Sequence, residues 1–153
     1  MIRVCHLFVS PGHNYVGHHG QPPGEHPIVA VRNIECIAGR GIRGDRYFDH
    51  QPGYKGQITF FAMEVLEALA GELDVEVRPE FTRRNVFTRN AELGALVGVE
   101  FEIQGSRFLG TEECRPCYWM NHAFRDERVE TWLRGRGGLR ARILTDSVLK
   151  CET

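Results

Sequence analysis

The sequence predicts a mainly β (β+α) fold, a closed or nearly closed β-barrel carrying one or two helices, in one domain over residues 1–153. Three observations carry that expectation. The length is a common one for a single domain, enough to bury one core without disulfides or metals. Short runs rich in Val, Ile, Leu and Phe recur at near-even spacing between turn residues, as in barrels. Only one long stretch has the periodicity of an amphipathic helix.

In chain order, residues 2–9 and 28–37 read as strands bounded by Gly and Pro. Between them lies a long loop over 10–27 with four glycines, four prolines and the histidines His13, His18, His19 and His26. Loops this long inside compact domains are usually functional or mobile, and a mobile polar loop is the default reading of these histidines. Further strands are expected at 57–61, 86–88, 100–104, 107–110, 139–144 and 148–151. The helix is expected over 62–73, where Ala62, Val65, Leu66, Leu69, Ala70 and Leu73 share one face and Glu64, Glu67 and Glu72 take the other. A shorter helix is expected over 126–134, with Val129, Trp132 and Leu133 as its apolar stripe and Asp126 at the N-cap. The regular βαβ alternation of a doubly wound sheet is missing, and no repeat or low-complexity segment is visible.

Composition narrows the function classes. With 42% hydrophobic and 25% charged residues the chain has the profile of a soluble globular protein. A net charge of -1 gives no sequence-wide attraction to nucleic acid or anionic membrane. The positive residues are mostly Arg, however, clustered at Arg40, Arg43 and Arg46, at Arg83, Arg84 and Arg89, and at Arg134, Arg136, Arg140 and Arg142. Guanidinium forks suit a small anionic ligand. The N-terminal apolar run breaks at Ser10-Pro11-Gly12, too short for a signal peptide or a membrane span, so the expected location is the cytoplasm. Thiols stay reduced there, and five cysteines, an odd number, do not suggest a disulfide framework.

The strongest local motif is Cys114-Arg115-Pro116-Cys117. Its spacing admits half a zinc site, a dithiol redox pair, or one reactive thiolate with a helper. A structural zinc site wants four ligands, and only His122 stands nearby as a third. A thioredoxin-like pair belongs in a βαβ unit, which the strand-dominated pattern does not provide. Cationic neighbours such as Arg115 favour a thiolate, the form that attacks sulfur or binds a soft metal. The bland alternative is a pair of small core residues. Three weaker motifs accompany it: the Gly-rich stretch 39–47 with Arg43 and Arg46, which suits an anion nest; the stretch 81–86 with Arg83, Arg84 and Asn85; and a late strand with Arg140 and Arg142 on one face.

In order along the chain, Gly41-Ile42-Arg43-Gly44-Asp45-Arg46, Gln57-Ile58-Thr59, Arg83 with Asn85, Pro116-Cys117 and Ala141-Arg142-Ile143 are similar to the MOSC domain, named for the C-terminal part of molybdenum cofactor sulfurases. The resemblance runs from about Val31 to the end, so 31–153 would form the domain core. It implies a mostly β barrel with a pocket. It also implies that Cys117 either accepts a persulfide or ligates molybdenum, and that Gly44, Asp45, Arg46, Arg83, Asn85 and Arg142 hold the pterin phosphate and the molybdenum of the cofactor, molybdopterin. Cys114, three residues before Cys117, would then resolve or shield the sulfur. Tyr47 stands where small standalone members often have His.

The expected function is therefore molybdenum cofactor binding or sulfane sulfur transfer. The first would come with reduction of N-hydroxylated compounds and an electron-transfer protein as partner. The second would come with a cysteine desulfurase, a pyridoxal phosphate enzyme, as donor. The alternatives are a small zinc module built on Cys114, Cys117 and His122 and a noncatalytic barrel that binds small anions.

Overall fold

The computed structural model describes residues 1–12 and 27–152, so most of the long loop expected over 10–27 lies outside the described residues. The central strands are the most apolar. β5 (Ile58–Ala62) is Ile-Thr-Phe-Phe-Ala, buried almost throughout, as a strand covered on both faces must be. It pairs in parallel with β6 (Val86–Arg89) and antiparallel with β9 (Leu139–Ile143). β1 (Arg3–Val9) and β2 (Val29–Val31) extend the sheet on the β6 side. β8 (Ser106–Glu113) and β7 (Glu100–Ile103) extend it on the β9 side. The order of the resulting seven-stranded sheet is β2-β1-β6-β5-β9-β8-β7.

A second sheet, in the order β10-β3-β4, joins β10 (Ser147–Lys150), β3 (Asn33–Ile37) and the two-residue β4 (Gly41–Ile42). Among the described residues neither sheet closes. The expectation of a closed or nearly closed barrel is therefore corrected to two open sheets. The physical reason sits in the run 28–37, which reads locally as one strand. The chain pairs with β1 up to Val31, turns at Arg32, and continues in the other sheet, so strands that might have sealed a cylinder are divided between two layers.

Each face of the large sheet has its own core. On one side Phe60, Val86, Ile58 and Ala141 pack with Ile34, Cys36, Ile42 and Leu149 of the small sheet. On the other, Phe8, Phe61 and Phe87 pack under Leu66 and Leu69 of α1 (Met63–Leu73) and under the later helices. α1 links the parallel β5 and β6, so one βαβ unit is present after all. Its polar side is tied down by the Glu67–Arg89 ion pair and by the Asn90 N–H donating to the Glu64 carboxylate. Among the described residues the fold has three α-helices rather than one or two. α2 (Trp119–Phe124) was not expected, and α3 (Val129–Trp132) is far shorter than 126–134. Asp126 caps no helix; its carboxylate instead accepts the Arg128 N–H at 2.8 Å. No helix among the described residues is long and apolar enough to cross a membrane.

Candidate functional site

The turn after β4 aims a carboxylate inward. The Asp45 N–H donates to the Ile42 carbonyl, and Gly44 at the third turn position has φ +83, a value glycine adopts without strain. The Asp45 carboxylate is wholly buried and accepts from Ser10 N at 3.0 Å, Arg46 Nη1 at 3.2 Å, Asn85 Nδ2 at 3.3 Å and Tyr47 N at 3.3 Å. Asn85 also donates to the Phe8 carbonyl, and its side-chain oxygen accepts from the backbone and hydroxyl of Thr59. Three strands are thereby laced together, in surroundings where each hydrogen bond is strengthened by exclusion of water. Arg83 has left-handed backbone, φ +56, and its Nη2 donates to Ser10 Oγ at 2.7 Å and the Gly12 carbonyl at 3.0 Å. Arg46 Nη2 in turn donates to the Arg83 carbonyl.

Beside this cluster opens a cleft of about 340 Å³ lined by Arg46, Arg83, Arg84, Arg115 and Arg140, by Tyr47, Tyr54, Tyr118 and Trp119, and by Cys114 and Cys117. The tyrosines Tyr47 and Tyr54 stack at 5.3 Å, and Tyr118 packs against Trp119 with tilted rings, centroids 4.6 Å apart. Five guanidinium groups and two aromatic pairs make the cleft suited to a small anion with a flat apolar body.

The two cysteines enter it from one short loop between β8 and α2. Cys114 is 5% exposed, while Cys117 is exposed. The loop backbone is clamped: Cys114 N donates to the Gly138 carbonyl at 2.8 Å, and the Cys114 carbonyl accepts from Arg84 Nη2 at 3.0 Å. Arg84 also reaches the carbonyls of Thr82 and Gly137. Arg140 of β9 lines the same cleft and donates to the Glu112 carboxylate at 3.2 Å.

All five cysteines are free, but they differ in reach. Burial pushes the Cys36 thiol up to about 12 and raises that of Cys5 as well. A short pulse of iodoacetamide at neutral pH is therefore expected to label Cys117 first and to leave Cys36 and Cys114 unlabelled in the folded protein, read by peptide mapping. Labelling of Cys36 as fast as Cys117 would contradict this burial.

The structure brings Asp45, Arg46, Arg83 and Asn85 together, and Arg46, Arg83, Cys114 and Cys117 line the cleft. Gly44 shapes the turn from outside it. Arg142 does not line the cleft; it is exposed two residues further along β9, opposite Leu109, whereas Arg140 stands opposite Thr59, itself a lining residue. Strand alternation puts both arginines on one face, and only the pairing register tells them apart. The zinc set is not assembled: His122 packs against Trp119 with tilted rings, centroids 5.4 Å apart, and no group of three or more His, Cys, Asp or Glu side chains among the described residues is placed to hold a metal ion. Tyr54 carries no motif signal, while Ser10 reads only as the end of the N-terminal apolar run and Gly137 only as the start of the stretch 137–144 that holds Arg140 and Arg142.

The MOSC domain model matches residues 18–151. No curated protein matches the chain. Among solved structures, the YuaD protein of Bacillus subtilis superposes with a TM-score of 0.74 at 16% identity, over 98% of this chain and 92% of that one. YiiM of Geobacillus stearothermophilus gives 0.71 at 9% identity over 98% and 71%. YiiM of Escherichia coli gives 0.62 at 16% identity over 80% and 60%. These likenesses are ones of fold.

Proposed function

Because the chain belongs to the MOSC domain family, we propose that its cleft is a sulfur-handling site in which Cys117 carries a sulfane sulfur. The observation behind this reading is the placement of Cys117: an exposed thiol on an arginine-lined cleft. A donor protein must be able to reach the carrier sulfur, and the acceptor must bind next to it; an exposed thiol at a cleft meets both needs. The donor is a cysteine desulfurase bearing a persulfide. The Cys117 thiolate attacks the terminal sulfur, a new S–S bond forms on Cys117, and the donor cysteine leaves as its thiolate. The acceptor is a small anion held by Arg46, Arg84, Arg115 and Arg140. Free thiols of this kind suit the reducing cytoplasm.

A second reading is favoured by the combination of five arginines with aromatic pairs. The same cleft has the donor set for the molybdenum cofactor, with Arg46 and Arg83 for its phosphate and Cys117 as a soft thiolate for the metal. Bound there, the cofactor would supply two-electron chemistry for reducing N-hydroxylated compounds, drawing on an electron-transfer partner. Arg46 and Arg83 are preorganised for such a role by their bonds to Asp45, Ser10 and Gly12.

Incubation with a cysteine desulfurase and cysteine, followed by nonreducing intact mass measurement, is expected to add one sulfur to the wild-type chain and none to the Cys117→Ser variant. Equal gain by the variant would refute the carrier role. Molybdenum in stoichiometric amount in the purified protein, lost on Cys117→Ser, would favour the second reading instead.

A further inference from the structure

Cys114 has no part in the transfer just described, yet it lines the same cleft as Cys117, three residues away and shielded from bulk solvent. Its backbone is held by the Gly138 carbonyl and the Arg84 guanidinium, and Arg115 and Arg140 line the same cleft. A thiolate is the form that attacks an S–S bond. A thiol that only filled space would have no reason to line a cleft together with an exposed thiol three residues on.

We infer that Cys114 is the resolving thiol of this site, releasing the sulfur carried on Cys117 as hydrosulfide when no acceptor takes it. The inference rests on the carrier reading. The Cys114 thiolate attacks Cys117 Sγ of the persulfide, a Cys114–Cys117 bond forms, and the bond from Cys117 Sγ to the outer sulfur breaks. The electron pair leaves with the outer sulfur as HS⁻, so the sulfane sulfur is reduced while the two cysteine sulfurs end as a disulfide. One persulfide and one thiolate give one disulfide and one hydrosulfide, with no other oxidant. A dithiol reductant then returns the pair to two thiols. Loop length suits the closure, since disulfides need Cα atoms about 4–7 Å apart and a three-residue step allows this. Burial of Cys114 restricts its attack to sulfur already delivered to the cleft.

The test uses the whole chain and glutathione persulfide as the sulfur source, with nonreducing intact mass, disulfide mapping and released sulfide as readouts. Wild type is expected to release one sulfide per chain and to end with a Cys114–Cys117 disulfide. Cys114→Ser and Cys114→Ala are expected to retain the extra sulfur on Cys117 and release none. Wild type that keeps its extra sulfur without forming the disulfide would overturn the resolving role and leave the carrier reading standing, as would sulfide release by the Cys114 variants at the wild-type rate. Failure of wild type and the Cys114 variants alike to gain sulfur or form the disulfide would overturn both. Disulfide mapping on wild type does not depend on any variant folding.

Discussion

Asp45→Ala is expected to lower the free energy of unfolding by about 3–5 kcal/mol, the usual range when one partner of a buried ion pair is removed. The carboxylate is fully buried, and the Arg46 side chain beside it is 9% exposed. Alanine would leave the Arg46 guanidinium and the Asn85 amide each short of an acceptor, together with the backbone N–H groups of Ser10 and Tyr47. Water cannot reach all of these donors, so the loss is more than that of four ordinary surface bonds. For a chain of this length the melting temperature should fall by roughly 10 °C. Asp45→Asn keeps one acceptor oxygen but places an NH₂ opposite donors and removes the charge, so it should fall between wild type and alanine. Urea denaturation at neutral pH gives the comparison directly. A loss of under about 1 kcal/mol for alanine would show that solvent replaces the carboxylate and that the cluster is not closed.

The same cluster explains what could and could not be read along the chain. Most strand runs were legible because a half-buried strand imposes alternation and a fully buried one imposes continuous Val, Ile and Phe; β5 is an example of the latter. Which sheet a strand joins is a nonlocal fact. Nothing in 28–37 marks Arg32 as the point where the chain leaves one sheet for the other, and neither even strand spacing nor the family resemblance, on which barrel closure rests, says which sheet each strand joins. α2 is only six residues long, too short for a periodic signal beyond the pair Met120 and Phe124. At the site, Asp45, Arg46, Arg83 and Asn85 stand out as motif residues, but Ser10, which bonds the first three of them, is a lone serine before a proline. Arg140 and Arg142 are equivalent by alternation, and only the registry of β9 against β5 puts Arg140 at the cleft. Cys114 and Cys117 look alike in the motif; burial separates them into a shielded and an exposed thiol.

The second large effect is expected at a residue that makes no side-chain contact. A Cβ at Gly137 would lie 2.4 Å from the Cys114 carbonyl oxygen, 2.7 Å from Pro116 Cδ and 2.9 Å from Pro116 N. All three atoms belong to the loop that carries the cysteines, and none is the free end of a flexible side chain. Gly137 is itself held by its N–H to the Glu113 carboxylate and by its carbonyl to Arg84 Nε. Gly137→Ala must therefore push the 114–116 backbone away, against the bonds from Cys114 N to Gly138 and from Arg84 to the Cys114 carbonyl. Overpacking of this kind costs about 1–3 kcal/mol. The larger consequence is that Cys114 moves relative to Arg140 and the cleft. Alkylation of the folded variant is expected to label Cys114, which wild type shields, and sulfide release from loaded Cys117 should fall with it. Gly135→Ala is the control: its Cβ meets nothing within 4 Å, and its φ of +79 costs roughly 1 kcal/mol of strain. It should lower stability by a comparable amount yet leave Cys114 shielded. If both variants expose Cys114 equally, general loosening rather than the position of Gly137 governs the loop; if only Gly137→Ala does, the missing side chain at 137 is what places the two sulfurs.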